Sequence, residues 1–221
     1  MRILVINPNT SAGITRSIAM AAKAAAAPGD AIETISAPFG PELIVTAEDA
    51  AIAGRAVVAL AERMASDFDG IVIASFGDTA IAAVRACVSI PVVGIARCSF
   101  LAALAFGDSF SIVSFSETVA PSLHAVVAAN GFADRLASLR VLDSSRWSDP
   151  GEIGSELIEP LIALCVRTQA DGCGAIVMGG GPLAGLARQI APHVDIPVID
   201  GVGAAIRMLG TPSFPARHEA F

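Results

Sequence analysis

The chain repeats itself. Ile71-Val-Ile-Ala-Ser-Phe-Gly-Asp-Thr79 runs a β-branched stretch into a small polar residue, a glycine turn and a helix-like alanine-rich run. Ala175-Ile-Val-Met-Gly-Gly-Gly-Pro-Leu-Ala184 follows the same plan. Further on, Ser89-Ile-Pro-Val-Val-Gly-Ile95 is answered by Asp195-Ile-Pro-Val-Ile-Asp-Gly201. Ser75 stands opposite Gly180, and Pro91 opposite Pro197 after a one-residue shift. An apolar run, a turn, a helix and a second apolar run make a βαβ unit with parallel strands. Two such units in one chain predict two similar lobes whose strand-end turns face each other across a cleft.

The remaining segments fit that plan. Ile3 to Ile6 reads as the first strand, and Asn7-Pro-Asn-Thr-Ser11 as a polar turn able to cap the helix that follows. Ala31 to Ser36 reads as a strand and Pro38-Phe-Gly-Pro41 as a break. Glu48 to Met64 is an amphipathic helix with Ile52, Ala56, Leu60 and Met64 at four-residue spacing. Ile90 to Ile95 is a strand, and Cys98 to Phe106 a helical link. The plan restarts at Phe110-Ser-Ile-Val-Ser-Phe-Ser-Glu-Thr118, with a helix from Thr118 to Ala129 and Asn130-Gly131 as its stop. Leu139 to Leu142 reads as a strand, Ser144 to Gly151 as a polar loop holding Trp147, and Glu152 to Gln169 as a helix bent at Pro160. A short helix over Gly203 to Leu209 and a loose tail complete the chain. The expected fold is α/β: two Rossmann-like lobes with parallel sheets, related by a pseudo-two-fold axis. The expected division is 1–98 with about 205–221 for the first lobe, and 99–204 for the second.

Composition narrows the function classes. With 54% hydrophobic and 16% charged residues in 221, the chain is globular and long enough for substantial cores. No apolar run reaches the ~18 residues of a membrane span. The N-terminus enters a strand directly and lacks a signal-peptide pattern, so the cytoplasm is the expected compartment. Cys87, Cys98, Cys165 and Cys173 form no C-x-x-C pair, and His124, His193 and His218 are scattered, so no metal site is expected. A net charge of −7 without a basic run excludes nucleic acid as a natural partner. Lys23, the only lysine, lies in an alanine-rich helical pattern, which argues against pyridoxal phosphate chemistry. Gly179-Gly-Gly-Pro-Leu-Ala184 with Asp200 downstream matches a dinucleotide fingerprint, weakly and late in the chain. No cofactor is expected; a homo-oligomer is.

Several segments together carry a family resemblance: Ile6-Asn-Pro-Asn-Thr-Ser11, Pro38-Phe-Gly-Pro41, Ala74-Ser-Phe-Gly-Asp78, Pro91-Val-Val-Gly-Ile95, Met178-Gly-Gly-Gly181 and Ile196-Pro-Val-Ile-Asp-Gly201. Over nearly its whole length the chain resembles the aspartate/glutamate/hydantoin racemase superfamily, nearest the hydantoin/allantoin branch. That resemblance implies a cofactor-free enzyme in which one cysteine after each core strand flanks the substrate's acidic carbon. Here those positions hold Ser75 and Gly180. A hydroxyl is a far weaker acid than a thiol of pKa about 8.5, and glycine has no side chain to offer.

The expected substrate is a small anionic or cyclic ureide molecule. One reading is one-sided hydrolysis or lyase chemistry at Ser75, supported by backbone N–H groups of two helices opening at Phe76-Gly77-Asp78 and at Gly181 to Leu183. Asp78, Glu117, Asp200 and, with less support, His193 are candidates to activate Ser75. Asn7, Pro8, Asn9, Thr10, Phe76, Gly77, Thr79, Ser114, Ser116, Thr118, Gly180, Gly181 and Pro182 are candidate substrate contacts. A racemase or isomerase using other groups is the alternative; it includes a protein whose cysteine at 75 was exchanged for serine. A non-catalytic anion-binding relative is the third. Plainer roles exist for most of these residues: a cap alone for the Asn7 turn, an acid in its own helix's first turn for Asp78, and a cap for residues 203–209 for Asp200.

Overall fold

The computed structural model describes residues 1–143 and 157–210. Among the described residues eight short strands, β1 (Arg2–Asn7), β2 (Ala31–Ser36), β3 (Gly70–Ile73), β4 (Val92–Gly94), β5 (Phe110–Ser114), β6 (Leu136–Val141), β7 (Ala175–Gly179) and β8 (Val198–Asp200), form two four-stranded sheets. The strand orders are β2-β1-β3-β4 and β6-β5-β7-β8, and every pairing is parallel. The halves therefore share one topology, as the repeat predicts. Central strands of parallel sheets are covered on both faces, so they read as unbroken apolar runs. Ile71, Val72 and Ile73 in β3 and Ile176, Val177 and Met178 in β7 are all buried.

The helices are α1 (Ala12–Ala25), α2 (Ala47–Met64), α3 (Ile81–Cys87), α4 (Ile95–Ala103), α5 (Ala120–Ala129), α6 (Ile158–Gln169), α7 (Ala187–Ile190) and α8 (Gly201–Gly210). Ser11 caps α1 by accepting from Ile14 N–H at 3.2 Å. Thr46 and Asp49 form a reciprocal capping box on α2. Several boundaries differ from the sequence expectation; β6, for one, begins at Leu136 rather than Leu139. α4 begins at Ile95, because β4 closes early at Gly94. A 3-10 turn over Glu117–Val119 precedes α5. Pro160 falls in the first turn of α6, where its missing N–H removes no intrahelical bond; residues 152–156 of the expected helix lie outside the described residues. The expected loop around Trp147 and the expected tail lie outside the described residues. The expected lobe boundaries fall within α4 and α8.

One apolar cluster joins the lobes. It takes Ile3, Val5 and Val72 from the first sheet and Ile112, Val113 and Val177 from the second, with α8 packed against α1 and α4. A second cluster, Leu4, Ile6, Ile71 and Ile73 against Val57 and Leu60 of α2, covers the other face of the first sheet. Phe100 of α4 stacks on Phe110 at 5.0 Å and meets Phe76 and Phe132 edge-on at 5.7 and 5.8 Å. Among the described residues no helix is long and apolar enough to cross a membrane.

One polar link on the second sheet yields a pH prediction. Asp171 accepts from Arg140 Nε and Nη2 at 2.8 and 2.7 Å and from Ser138 Oγ at 2.6 Å. These bonds, the Arg140 pair first, hold its carboxyl at about 2, below the ordinary 3.8. A depressed folded-state pKa stabilises the fold above about pH 4, and that contribution is lost as pH falls towards 2. Asp171→Asn is expected to melt at a lower temperature than the parent at pH 7. The gap should close near pH 2 in a pH series of thermal melts.

Candidate active site

The carboxyl ends of β3 and β7, the central strands of open parallel sheets, are where such folds place ligands. A cleft of about 510 Å3 lies there, and Ser75 and Gly180 both line it. The two turns approach closely: a Cβ on Gly181 would lie 3.9 Å from the Ala74 carbonyl and 3.3 Å from Ile14 Cγ2. Asn9 and Pro8 from the β1 turn, Leu43 to Val45, Phe115, and a face of α5 with Ser122, Val126 and Ala129 complete the wall.

Ser75 is half-buried, and its hydroxyl shares a hydrogen with Thr79 Oγ1 at 2.9 Å. Gly77 N–H approaches the same oxygen at 3.4 Å. Turn bonds run from Asp78 N–H to Ser75 O, from Ile81 N–H to Asp78 O, and from Leu183 N–H to Gly180 O. The Phe76, Thr79, Gly180 and Gly181 N–H groups are not spent on those turn bonds. The second expected helix opening is instead a 3-10 turn over Gly181–Leu183, followed after a break by the four-residue α7. No helix of useful dipole points from that side, and the dinucleotide fingerprint lacks the helix it requires.

Asp78 faces away from Ser75's hydroxyl and towards α4. Its Oδ1 accepts from Ala96 N–H at 3.3 Å, with Arg97 N–H and the Asn130 amide as further donors. Burial raises its pKa above the ordinary carboxylate value, against the opposing pull of those bonds and of Arg85. Asp78 and Ala80 both have positive φ, +47° and +59°, a conformation held at a cost only where the surroundings dictate it. A Cβ on Gly94 would collide with the Asp78 carboxyl, so the glycine makes room for it. Asp78 thus caps a neighbouring helix, not its own.

The other sequence candidates separate into two groups. Phe76, Gly77, Thr79, Gly180, Gly181 and Pro182 line the cleft with Pro8 and Asn9. Asn7 is buried behind them, donating to Asn9 Oδ1 and Thr15 Oγ1 at 2.9 Å each; Thr10 N–H bonds Pro41 O at 3.0 Å. Ser114 donates to the Gly179 carbonyl, and Ser116 pairs with Thr118 at 2.8 Å. Glu117 is exposed, and Asp200 accepts from Gly185 and Gly203 N–H as a cap of α8. Neither Glu117 nor Asp200 is among the residues lining the cleft, and the exposed His193 is not there either. Nor are the cysteines, of which burial pushes Cys98 and Cys165 up to about 12. Among the described residues no three His, Cys, Asp or Glu side chains gather to hold a metal. Phe115 and the apolar loop Leu43 to Val45 escaped the sequence reading, because each looks like ordinary core.

Parallel sheets in two matched lobes with a shared strand-end cleft define a class of small-molecule enzymes, and the comparisons specify which. The Asp/Glu/hydantoin racemase family matches residues 3–209, and the chain belongs to it. It is 36% identical to hydantoin racemase of Paenarthrobacter aurescens over 94% of this chain and 89% of that one. The allantoin racemase structure from Klebsiella pneumoniae superposes with a TM-score of 0.88 at 36% identity, covering 95% of this chain and 86% of that one. Allantoin racemase from Pseudomonas fluorescens gives a TM-score of 0.80 at 30% identity, covering 95% and 89%.

Proposed function

We propose that this chain is a cofactor-independent enzyme that acts on a small uncharged cyclic ureide from one face, with Ser75 on the reacting side. The lining of the cleft carries this reading. Asp78 is its one ionisable side chain among the described residues. A carboxylate entering there would lose hydration without meeting a cation, which is costly. A ureide ring instead offers carbonyl acceptors and N–H donors that match Ser75, Thr79, Asn9 and the backbone N–H groups of the two turns. Relatives named for hydantoin and allantoin support the same class. Charge developing on a ring carbonyl during ring opening or elimination would fall near those N–H groups, the arrangement that stabilises an oxyanion. The Gly180 side supplies no acid or base, which favours a hydrolase or lyase step over a two-sided one.

Ser75→Ala tests this. Hydrolytic ring opening of hydantoin, in which water adds across a ring amide as its C–N bond breaks, is expected to fall at least about 100-fold, the low end for a lost catalytic group. Hydantoin binding should change by no more than about 1–2 kcal/mol, the size of one neutral hydrogen bond. Unchanged turnover would refute the role of Ser75. A second reading, binding without turnover, is favoured by Ser75's own partner: Thr79 is a hydroxyl, not a base that takes a proton. Tight hydantoin binding with no ring opening, elimination or proton exchange would establish that reading.

A further inference from the structure

We infer that Phe115 is the specificity-determining residue of the cleft: it closes the Gly180 side to any substituent on the ligand's ring carbon. This rests on the ureide reading above. Ser114, the last residue of β5, donates its hydroxyl to the Gly179 carbonyl at 2.5 Å and ties the ends of β5 and β7 together. That bond fixes Phe115 beside Gly180. A Cβ built on Gly180 would lie 2.5 Å from Phe115 Cε1 and 2.9 Å from Cδ1. Carbon atoms in contact sit about 3.5–4.0 Å apart, so the ring edge occupies the space of a side chain at 180.

The ring is 3% exposed and belongs to the core cluster shared by the lobes, so close packing gives it little room to swing aside. Gly180 has φ +143°, a conformation that other residues rarely adopt. Glycine and phenylalanine are therefore fitted to each other. A planar ring presented to Ser75 meets a phenyl edge on its opposite face. The two substituents of a tetrahedral ring carbon lie on opposite faces of the ring, so a carbon bearing one of them can turn its hydrogen to Phe115 and its substituent to the half-buried Ser75 face. A ring carbon bearing two substituents has no such choice.

Calorimetric titration of the full chain with 5-methylhydantoin and 5,5-dimethylhydantoin reads this directly. The parent is expected to bind the monosubstituted ring at least tenfold more tightly. In Phe115→Ala the difference should shrink below threefold through tighter binding of the dimethyl compound, a gain that general loss of structure would not produce. Phe115→Leu keeps more of the core filled and should show an intermediate gain. Equal binding of both compounds by the parent, or no gain in either variant, overturns the inference. A second arm needs no ligand: thermal melts of Gly180→Ala alone and with Phe115→Ala. The destabilisation by Gly180→Ala should be at least halved in the Phe115→Ala background, since strain from φ persists there and the clash does not. If the parent binds neither hydantoin, the ureide reading fails. The melts then decide alone: coupled effects keep Phe115 in the place of the missing side chain, and additive ones overturn it.

Discussion

Cysteines introduced together at 75 and 180 are expected to give a destabilised protein that exchanges no protons. Ser75→Cys is a small change at a half-buried hydroxyl whose partner is Thr79. Gly180→Cys is not small. A side chain at φ +143° stores about 1–3 kcal/mol of backbone strain. Forcing its Cβ against Phe115 adds about 1–3 kcal/mol of overpacking. Against a total stability of about 5–15 kcal/mol, that sum is severe. Adding Phe115→Ala removes the steric part and leaves the strain, but itself costs about 3–5 kcal/mol as the loss of a buried phenylalanine. In urea denaturation the two cysteines should therefore destabilise the Phe115→Ala protein by less than they destabilise the parent. The triple variant is the one expected to hold thiols on both sides of a ligand. Deuterium uptake at C5 of 5-methylhydantoin in heavy water, above the buffer rate, is expected from the triple variant alone. Serine and glycine supply no acid or base of pKa near neutrality, so the unmodified chain should match the buffer. Rapid uptake by the unmodified chain would restore the isomerase reading, through groups other than the usual pair.

Phe100→Ala is expected to cost about 3–5 kcal/mol, the range for removing a buried phenylalanine. Phe100 is 0% exposed and touches three other rings. One of them, Phe76, directly follows Ser75; another, Phe110, begins the central strand β5 of the second sheet. The cavity would therefore open between the two lobes and beneath the Ser75 turn. A drop in melting temperature of roughly 6–20 °C should accompany it. A loss below about 1 kcal/mol would mean that the aromatic cluster closes up around the vacancy.

The lobes and their order were legible because parallel strands leave an unmistakable trace. Ile71 to Ile73 and Ala175 to Met178 are buried on both faces, so selection for burial writes them as unbroken apolar runs. The residues of the cleft were only partly legible, for a different reason. Asp78 follows Ser75 closely in sequence, and sequence proximity suggests a base; its left-handed backbone sends the carboxyl to α4 instead. Asp200 reads as a ligand for a ribose or a base, and the fold spends it on the N–H groups of Gly185 and Gly203. Gly179 to Gly181 resembles a helix opening, but Pro182 and Leu183 tighten it into a single 3-10 turn. Phe115 carries no signal at all in one sequence. Its meaning lies in a residue about sixty-five positions away that lacks a side chain, a relation that only three dimensions supply.

The apolar cluster that runs through both sheets changes what the internal repeat means. Ile3, Val5 and Val72 belong to one half and Ile112, Val113 and Val177 to the other, yet they bury one another's surroundings in a common interior. The halves are kin in topology without being separable parts. A cut between β4 and β5 would not release two small proteins; it would part α8 from α1 and α4 and bare the apolar surfaces packed between the halves. Shuffling one half into a foreign scaffold would carry half of a cleft and none of its floor. Ser75 and Gly180 line one cleft because the two halves share one interior.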